Sequence, residues 1–439
     1  MEEFHALHAT GYAGITIDQC IMEKNIENMQ RFAQRNEVRL RPHTKTHKMS
    51  SLAKMQESAG AKGVTVAKVG EAEMRERYIC TRCGLVHEIT LSRWKCDCGG
   101  LLDLDFDRKD TDPAAWPKYP ASIFRYAETM PLEHADWRMV TMGEGQTPLI
   151  VLDESRHGTY AKVDYMMPTL SFKDRGAAVL MAKAKSLGAG KVIADSSGNA
   201  GTAIAAYAAR CNIACDIYLS DVTSPKKMAQ VKAHGAEIRQ IEGTREDIAA
   251  AAQRAVSGEA VFYASHVYNP YFYEGTKTYA FEIFEELGSA PDTLIVPVGN
   301  GTLLLGAYYG FKELLDSGVI ERLPKIVAVQ AANCAPLARA FERGESVAAP
   351  VRNNGTLAEG IAIAAPARAQ QILEAVRETG GEFISVEESE IAEARGEMSR
   401  KGFHVEVTSA ANYAGYLKYG IEEDETLVIP LCGAGIKSG

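Results

Sequence analysis

The chain is short of the features that mark several large protein classes. No apolar run in its 439 residues approaches the roughly 18 that a membrane span requires, so no membrane insertion is expected. Positive charge is not in excess: 48 Lys and Arg stand against 57 Asp and Glu, a formal net charge of −9. That balance gives no global attraction to nucleic acid or anionic lipid. Nine cysteines are too few for a disulfide framework in a chain of this length. Internal repeats and low-complexity tracts are missing. The opening Met1 to Gly11 is acidic and His-containing, unlike a signal peptide, so the expected setting is the cytoplasm. What remains, 46% hydrophobic and 24% charged, is the composition of a globular protein large enough for roughly two to four structural units.

Four of the cysteines crowd together as Cys80-x2-Cys83-x12-Cys96-x-Cys98. Paired thiolates joined by a short hairpin present four sulfurs tetrahedrally, as in a structural zinc ribbon, with Gly84 and Gly99 supplying the tight knuckle turns. The second pair is one residue short and bites more tightly. Two outcomes are open: a ribbon holding one structural zinc, or one without metal whose thiols are merely packed or exposed. Cys20, Cys211, Cys215 and Cys334 have no partner by spacing and are expected in the core or at the surface.

Texture divides the chain into residues 1–77, the cysteine segment 78–108, a Pro-rich linker 109–142 and a long domain 143–439. The first part reads as strand (Ile15 to Ile17), helix (Met22 to Arg35), strand (Val38 to Arg41), helix (Ser50 to Ala59) and strand (Gly63 to Ala67), a βαβαβ opening that stops before anything could close. In the last part, strands are predicted at Lys191 to Ala194, Cys215 to Leu219, Glu237 to Ile241, Val261 to Ala264, Thr293 to Pro297, Ile326 to Gln330 and Thr426 to Leu431. Ala-, Lys- and Glu-rich helices such as Ala200 to Arg210 and Pro225 to His234 lie between them. Such alternation predicts an open α/β fold with a mostly parallel sheet and a ligand site at the strands' carboxyl ends.

Two of the strand-to-helix junctions are anion cups by composition: Asp195-Ser-Ser-Gly-Asn-Ala-Gly-Thr202 and Val298-Gly-Asn-Gly-Thr302. Either alone is equally a helix cap. The sharper signal is Pro168-Thr-Leu-Ser-Phe-Lys-Asp-Arg-Gly176, which puts a lysine at a helix N-terminus, where the helix dipole depresses its pKa. A depressed lysine is a nucleophile for an aldehyde. With a phosphate cup beside it, this is the equipment that pyridoxal phosphate requires.

From about Tyr78 onward the chain resembles the threonine synthase family of fold-type II pyridoxal-phosphate enzymes. The resemblance is carried, in order, by the cysteine ribbon, Gly143-Glu-Gly-Gln-Thr-Pro-Leu149, Ser171-Phe-Lys-Asp-Arg-Gly176, Ser196-Ser-Gly-Asn-Ala-Gly201, Asn269-Pro-Tyr-Phe-Tyr-Glu-Gly-Thr-Lys-Thr278, Gly299 to Thr302 and Leu431-Cys-Gly-Ala-Gly-Ile-Lys437. It implies a tryptophan synthase β-like α/β fold with open, mostly parallel sheets in two subdomains. It also implies Lys173 as the lysine that takes the cofactor covalently, Asn199 at the cofactor's 3′ oxygen, Val298, Gly299, Asn300, Gly301 and Thr302 at its phosphate, and Cys432 at its ring nitrogen. Ser196, Ser197, Gly198 and Thr202 would meet the substrate's carboxylate or leaving group. Lys162, Ser171 and Thr202 are candidates for a leaving phosphate. The chain departs from the family pattern where an Asn and a Gly are replaced by Met167 and Leu170, and where a neutral thiol, Cys432, stands for a hydroxyl.

The N-terminal Arg41-Pro-His-Thr-Lys-Thr-His-Lys48 and Gly60 to Glu73 resemble the D-threonine aldolase and D-serine dehydratase group, whose barrel is alanine-racemase-like. That resemblance implies Lys45 as a cofactor lysine, but the rest of the barrel is absent, and an accessory segment is expected. His43, His47, His266 and His404 have no acidic partner nearby in sequence and are expected in ordinary core or surface positions.

The implied activity is elimination or replacement at the β or γ carbon of an amino acid, the closest assignment being O-phosphohomoserine and water to threonine and phosphate. A threonine or serine dehydratase-type ammonia-lyase, a β-replacing synthase of the cysteate synthase kind and a non-catalytic cofactor-binding protein are the alternatives. The implied ligands are pyridoxal phosphate, a structural zinc and a small amino-acid substrate, with a homodimer as the expected assembly and no nucleic-acid or membrane partner.

Overall fold

The computed structural model describes residues 19–36, 38–42, 56, 58–62, 76–153, 158–196, 198–221, 223, 225–243, 245–256, 261–422 and 424–437. The chain divides into two compact units, Met1–Arg75 and Glu76–Gly439. In the first, the expected amphipathic helix spans Gln19–Arg35 and buries Gln30 and Ala33, with the Gln30 amide donating to the Gly60 carbonyl at 3.0 Å. Val38 to Arg41 is not a strand. The Val38 N–H returns to the Ala33 carbonyl in the turn that ends the helix, and the Leu40 carbonyl accepts from the Lys62 N–H 22 residues on, without a ladder among the described residues. The strands expected at Ile15 to Ile17 and Gly63 to Ala67, and the motif around Lys45, lie outside the described residues. So does most of the helix expected at Ser50 to Ala59.

The second unit contains thirteen strands among its described residues. β1 (Glu76–Cys80), β2 (Val86–His87) and β3 (Leu102–Phe106) form a small antiparallel sheet in the order β2-β1-β3, which is the cysteine segment. β4 (Leu149–Val151), β5 (Thr159–Lys162), β10 (Thr293–Pro297), β11 (Lys325–Ala331), β12 (Glu382–Val386) and β13 (Leu427–Pro430) form a six-stranded sheet in the order β12-β11-β10-β13-β5-β4. All its pairs are parallel except β4 with β5. β6 (Lys191–Ala194), β7 (Ala214–Ser220), β8 (Glu237–Ile241) and β9 (Phe262–Tyr263) form a second, wholly parallel sheet in the order β8-β7-β6-β9. All seven predicted strands of the long domain are present within one or two residues of their expected ends. Every residue of the central strand β10, Thr-Leu-Ile-Val-Pro, is buried, as expected for a parallel strand covered on both faces.

Two expectations about organisation change. The 109–142 segment is packed structure and not a linker: Pro113–Lys118 and Ile123–Thr129 are 3₁₀ turns, and Trp116, Ile123, Phe124 and Tyr126 are buried in the main core. The cysteine sheet belongs to the same compact unit as the sheets that follow. Buried Arg368 fastens it. Its guanidinium donates to the Asp103 carboxylate at 2.8 Å and the Leu102 carbonyl at 3.0 Å on β3. It also donates to the Val267 carbonyl at 2.8 Å and the Tyr268 carbonyl at 3.2 Å, on the loop after β9.

One buried ion cluster joins three of the motifs. Arg175, fully enclosed in the Lys173–Ser186 helix, pairs with Asp164 at 2.8 Å and with Glu282 at 2.5 Å, and donates to Thr278 at 3.0 Å. Glu282 also accepts from the Gln146 N–H at 2.9 Å, and the Thr147 hydroxyl donates to Asp164 at 2.7 Å. Burial opposes ionisation of Glu282, but Arg175 and Lys162 hold its carboxyl down to about 2. Removing one member of such a cluster leaves buried charge without a partner. Arg175→Met is therefore expected to lower unfolding free energy by about 3–5 kcal/mol, read from the urea midpoint at constant slope.

Candidate active site

Three helix N-termini come together, those of Lys173–Ser186, Asn199–Cys211 and Thr302–Asp316: Lys173 bonds Thr302, and Asn199 bonds Glu406, whose charge acts on Lys173. None of the three has a side-chain cap. At the Asn199 and Thr302 helices the first-turn N–H groups, with the helix dipoles, favour a bound anion, whereas in the Lys173 helix the Asp174 and Arg175 N–H groups already donate to the Ser171 and Phe172 carbonyls. Gly301 precedes the third helix at φ +76°, a left-handed conformation that a side chain would strain. A Cβ on Gly299 would come within 3.0 Å of the Ile361 Cα, so the loop sits close against that backbone.

Lys173 stands at the centre. Its ammonium lies 2.6 Å from the Thr302 hydroxyl and over the rings of Phe172 (4.5 Å to the centroid) and Phe272 (5.7 Å). Burial pushes its pKa down to about 7; Cys432 and Glu406 act against that fall, and Arg245 adds to it. The lysine's segment is stitched to the end of β13: the Phe172 N–H donates to the Cys432 carbonyl at 3.0 Å, the Ala434 N–H to the Leu170 carbonyl at 3.1 Å, and Ser171 bridges Gly433. Leu170, where relatives carry glycine, is held at φ +61°. A leucine in that conformation costs about 1–2 kcal/mol, and the two flanking contacts keep it there.

The expected residues fall into two groups. Asn199, Gly198, Ser196, Thr202, Gly299, Asn300, Gly301, Thr302 and Cys432 lie on the loops and helix starts around Lys173. The Asn199 amide donates to both oxygens of Glu406 at 2.9 Å. Ser196 is buried and its hydroxyl accepts weakly from the Gly198 N–H at 3.4 Å. Val298 anchors the start of its loop by donating to the Val329 carbonyl at 2.9 Å. Ser171 is fully buried, and its hydroxyl has no partner among the described residues. Ser197 lies outside the described residues. Cys432 is buried at the end of β13, its N–H donating to the Ser409 hydroxyl at 2.9 Å, and burial with nearby Glu406 keeps the thiol far above its ordinary pKa and neutral.

Lys162 is a correction. Its fully buried ammonium pairs with Glu282 at 3.0 Å and with Glu286, and donates to the Thr147 carbonyl, so it belongs to the structural ion cluster and has no free donor for a leaving group. Two groups that act on Lys173, Glu406 and Arg245, escaped the sequence reading, and His266, expected in an ordinary core or surface position, lies close enough to feel the Lys173 charge. Each comes from a different loop or helix end, and no local spacing marks them. Glu406 reaches Asn199 across Gly433, where a Cβ would collide with its carboxylate at 2.2 Å.

A family model described as pyridoxal-phosphate dependent enzyme matches residues 140–433. Over 374 residues the chain is 34% identical to a threonine synthase of Methanocaldococcus jannaschii, covering 82% of this chain and 92% of that one. A threonine synthase of Synechocystis is 38% identical over 309 residues, covering 68% and 78%. The chain belongs to the threonine synthase family of pyridoxal-phosphate dependent enzymes. Among solved structures, maize serine racemase superposes with a TM-score of 0.58 at 20% identity, over 66% of this chain and 88% of that one, which shows the fold alone. A threonine deaminase from T.th. superposes at 0.57 with 26% identity, over 69% and 96%. The fold-type II architecture expected from the resemblance is thus the observed one. No helix among the described residues is long and apolar enough to cross a membrane.

Only the unprotonated amine of a lysine attacks an aldehyde. With Lys173 lowered to about 7, the rate at which cofactor-free protein takes up pyridoxal phosphate should rise through pH 7. It should level off about one unit higher, where a lysine of ordinary pKa would keep rising about tenfold per pH unit past pH 9. Absorption near about 420 nm follows the reaction. Lys173→Ala should abolish borohydride-fixed cofactor, and Lys45→Ala should leave it intact.

Proposed function

We propose that this chain converts O-phosphohomoserine and water to threonine and phosphate, with Lys173 as the covalent cofactor lysine and the proton carrier at the substrate's α carbon. The observation that carries the reading is a lysine with a pKa near 7 set where three uncapped helix N-termini meet. When bound, pyridoxal phosphate supplies an aldehyde for the amino group and a ring that withdraws electrons from the α carbon. The loop from Val298 to Thr302 would hold its phosphate, Asn199 its 3′ oxygen and Cys432 its ring nitrogen. A neutral thiol leaves that nitrogen without a strong proton donor, which favours side-chain elimination or replacement over transamination.

Within this machinery the chain's own groups have separable tasks. Thr302 receives the lysine's hydrogen bond and keeps its nitrogen at the loop. Glu406 fixes the Asn199 amide group, so the side chain cannot rotate away. Ser196, Ser197, Gly198 and Thr202, at the start of a capless helix, would take the substrate carboxylate through N–H and hydroxyl donors. Ser171 offers an unengaged hydroxyl beside Lys173.

One observation favours a second reading, an ammonia-lyase acting on threonine or serine. A leaving phosphate needs cationic donors, and Lys162 is committed to Glu282 and Glu286; among the described residues Arg245 acts on Lys173, and Lys437, near Glu406, donates to the Thr169 carbonyl. The two readings differ in products. Incubation with O-phospho-L-homoserine should release phosphate and threonine in equal amounts; ammonia and a 2-oxo acid from L-threonine or L-serine, with no phosphate release, would make the second reading the right one.

We further propose that Cys80, Cys83, Cys96 and Cys98 hold one structural zinc. Their sulfurs all lie within 4.8 Å of one another, with Cys80 to Cys98 and Cys83 to Cys96 each at 3.6 Å. Four sulfurs about 2.3 Å from a central ion would stand about 3.8 Å apart. The turns fit too, since Gly84 and Gly99 have φ of +70° and +78°. Elemental analysis should find about one zinc per chain, and a Cys80→Ser, Cys98→Ser double variant should lose the metal and unfold at lower temperature while still binding pyridoxal phosphate.

A further inference from the structure

His266 sits two residues past Ala264, whose N–H donates to the Ile193 carbonyl at 2.8 Å and so aligns the ends of β9 and β6. The loop after β6 carries Ser196 to Asn199, and the loop after β9 carries His266 beside it. The imidazole is 6% exposed, and its Nδ1 is buried with no hydrogen-bond partner among the described residues. Its ring packs edge-on against Phe272 with centroids 5.9 Å apart, and the same Phe272 ring lies under the Lys173 ammonium.

A buried polar atom without a partner is rare in folded proteins and asks for a reason. Misfit of the loop is not the reason, because the rest of the loop is thoroughly bonded. Ser265 accepts from the Asn269 N–H at 3.0 Å through its carbonyl, Asn269 caps the Tyr271 N–H at 3.1 Å, and the Val267 carbonyl receives Arg368 at 2.8 Å and the Tyr273 hydroxyl at 3.2 Å. The backbone around His266 is thus firmly held, and its unpartnered ring nitrogen is buried on a side chain that shares the Phe272 ring with Lys173. The charged groups that act on it are Lys173 and Arg245. Burial first, and then both of these cations, hold the imidazole well below its ordinary pKa, so it is neutral and can accept a proton in a hydrogen bond.

We propose that His266 binds the oxygen on the substrate's β carbon: the hydroxyl of a β-hydroxy amino acid, which in the hydration direction is the oxygen delivered by water. The carboxylate and the cofactor phosphate are negatively charged and suit the helix N-termini; a neutral imidazole suits an uncharged hydroxyl. This inference rests on the amino-acid reading of the site given above and adds a residue that contacts substrate. It also gives a role to His266, which the sequence expectation of a core or surface position left without one.

The test uses the cofactor-loaded protein and two probes that differ only in that hydroxyl, L-threonine and L-2-aminobutyrate, titrated against the cofactor's absorption. The unaltered protein should bind L-threonine more tightly. In His266→Phe the preference should fall about tenfold through weaker L-threonine binding alone, L-2-aminobutyrate binding being unchanged, and His266→Asn should restore it to within about threefold. Two results overturn the proposal while leaving the amino-acid reading intact: a preference unchanged in His266→Phe, or loss of the cofactor band in both variants, which would make His266 a packing residue. If neither probe alters the spectrum of the unaltered protein, the reading of the site falls and the proposal falls with it.

Discussion

The Arg175 ion cluster is the constraint on which the rest of the second unit depends. It takes one side chain from the helix that begins with Lys173, one carboxylate from the turn after β5, and one from the Thr278–Leu287 helix. It closes the set with backbone groups of the Gly143 to Leu149 segment. Charges this deeply buried tolerate little displacement, because a shift of one partner leaves the others without compensation. The first turn of the lysine helix is therefore fixed in position. Lys162, a candidate for the leaving phosphate by its motif, turns out to be a counter-ion, and so is Lys277. Lys277 lies buried between Glu274 and Glu313, with Arg108 completing that second cluster.

With the helix held, the lysine's properties follow from its surroundings. It emerges where three helices begin and two aromatic rings exclude water. Desolvation first, and Arg245 second, disfavour its charge. The neighbouring carboxylate, Glu406, favours the charged amine and works against that fall, but burial outweighs it. Leu170 shows the same firmness from another direction. Its left-handed backbone persists because contacts on both sides prescribe it, although the glycine that would relieve it is absent.

The cysteine sheet is tied into this arrangement through one residue. Arg368 touches β3 at one end of its guanidinium and the loop carrying His266 at the other, so the small sheet and the site share a support. That link gives the ribbon a role in the architecture of the catalytic body, separate from any chemistry at Lys173.

Local pattern was enough for much of this. Strand and helix alternation in the long C-terminal domain follows from apolar runs and Gly-rich breaks, which act over a few residues at a time. The lysine and its loops were legible for the same reason, since each is a contiguous string whose chemistry is written in its own order. Val38 to Arg41 shows the limit: its β-like composition forms no ladder among the described residues, and its bonds run to the Ala33 turn and to Lys62. The 109–142 segment shows another, because prolines that suggest a linker also build 3₁₀ turns around a buried Trp116. Only the tertiary structure decided that Lys162 is a counter-ion, that Glu406 steadies Asn199, and that a buried His266 with an unpartnered ring nitrogen shares Phe272 with Lys173. Those facts depend on residues far apart in the chain meeting across strand ends, and burial and electrostatic pairing over such separations leave no trace in sequence spacing.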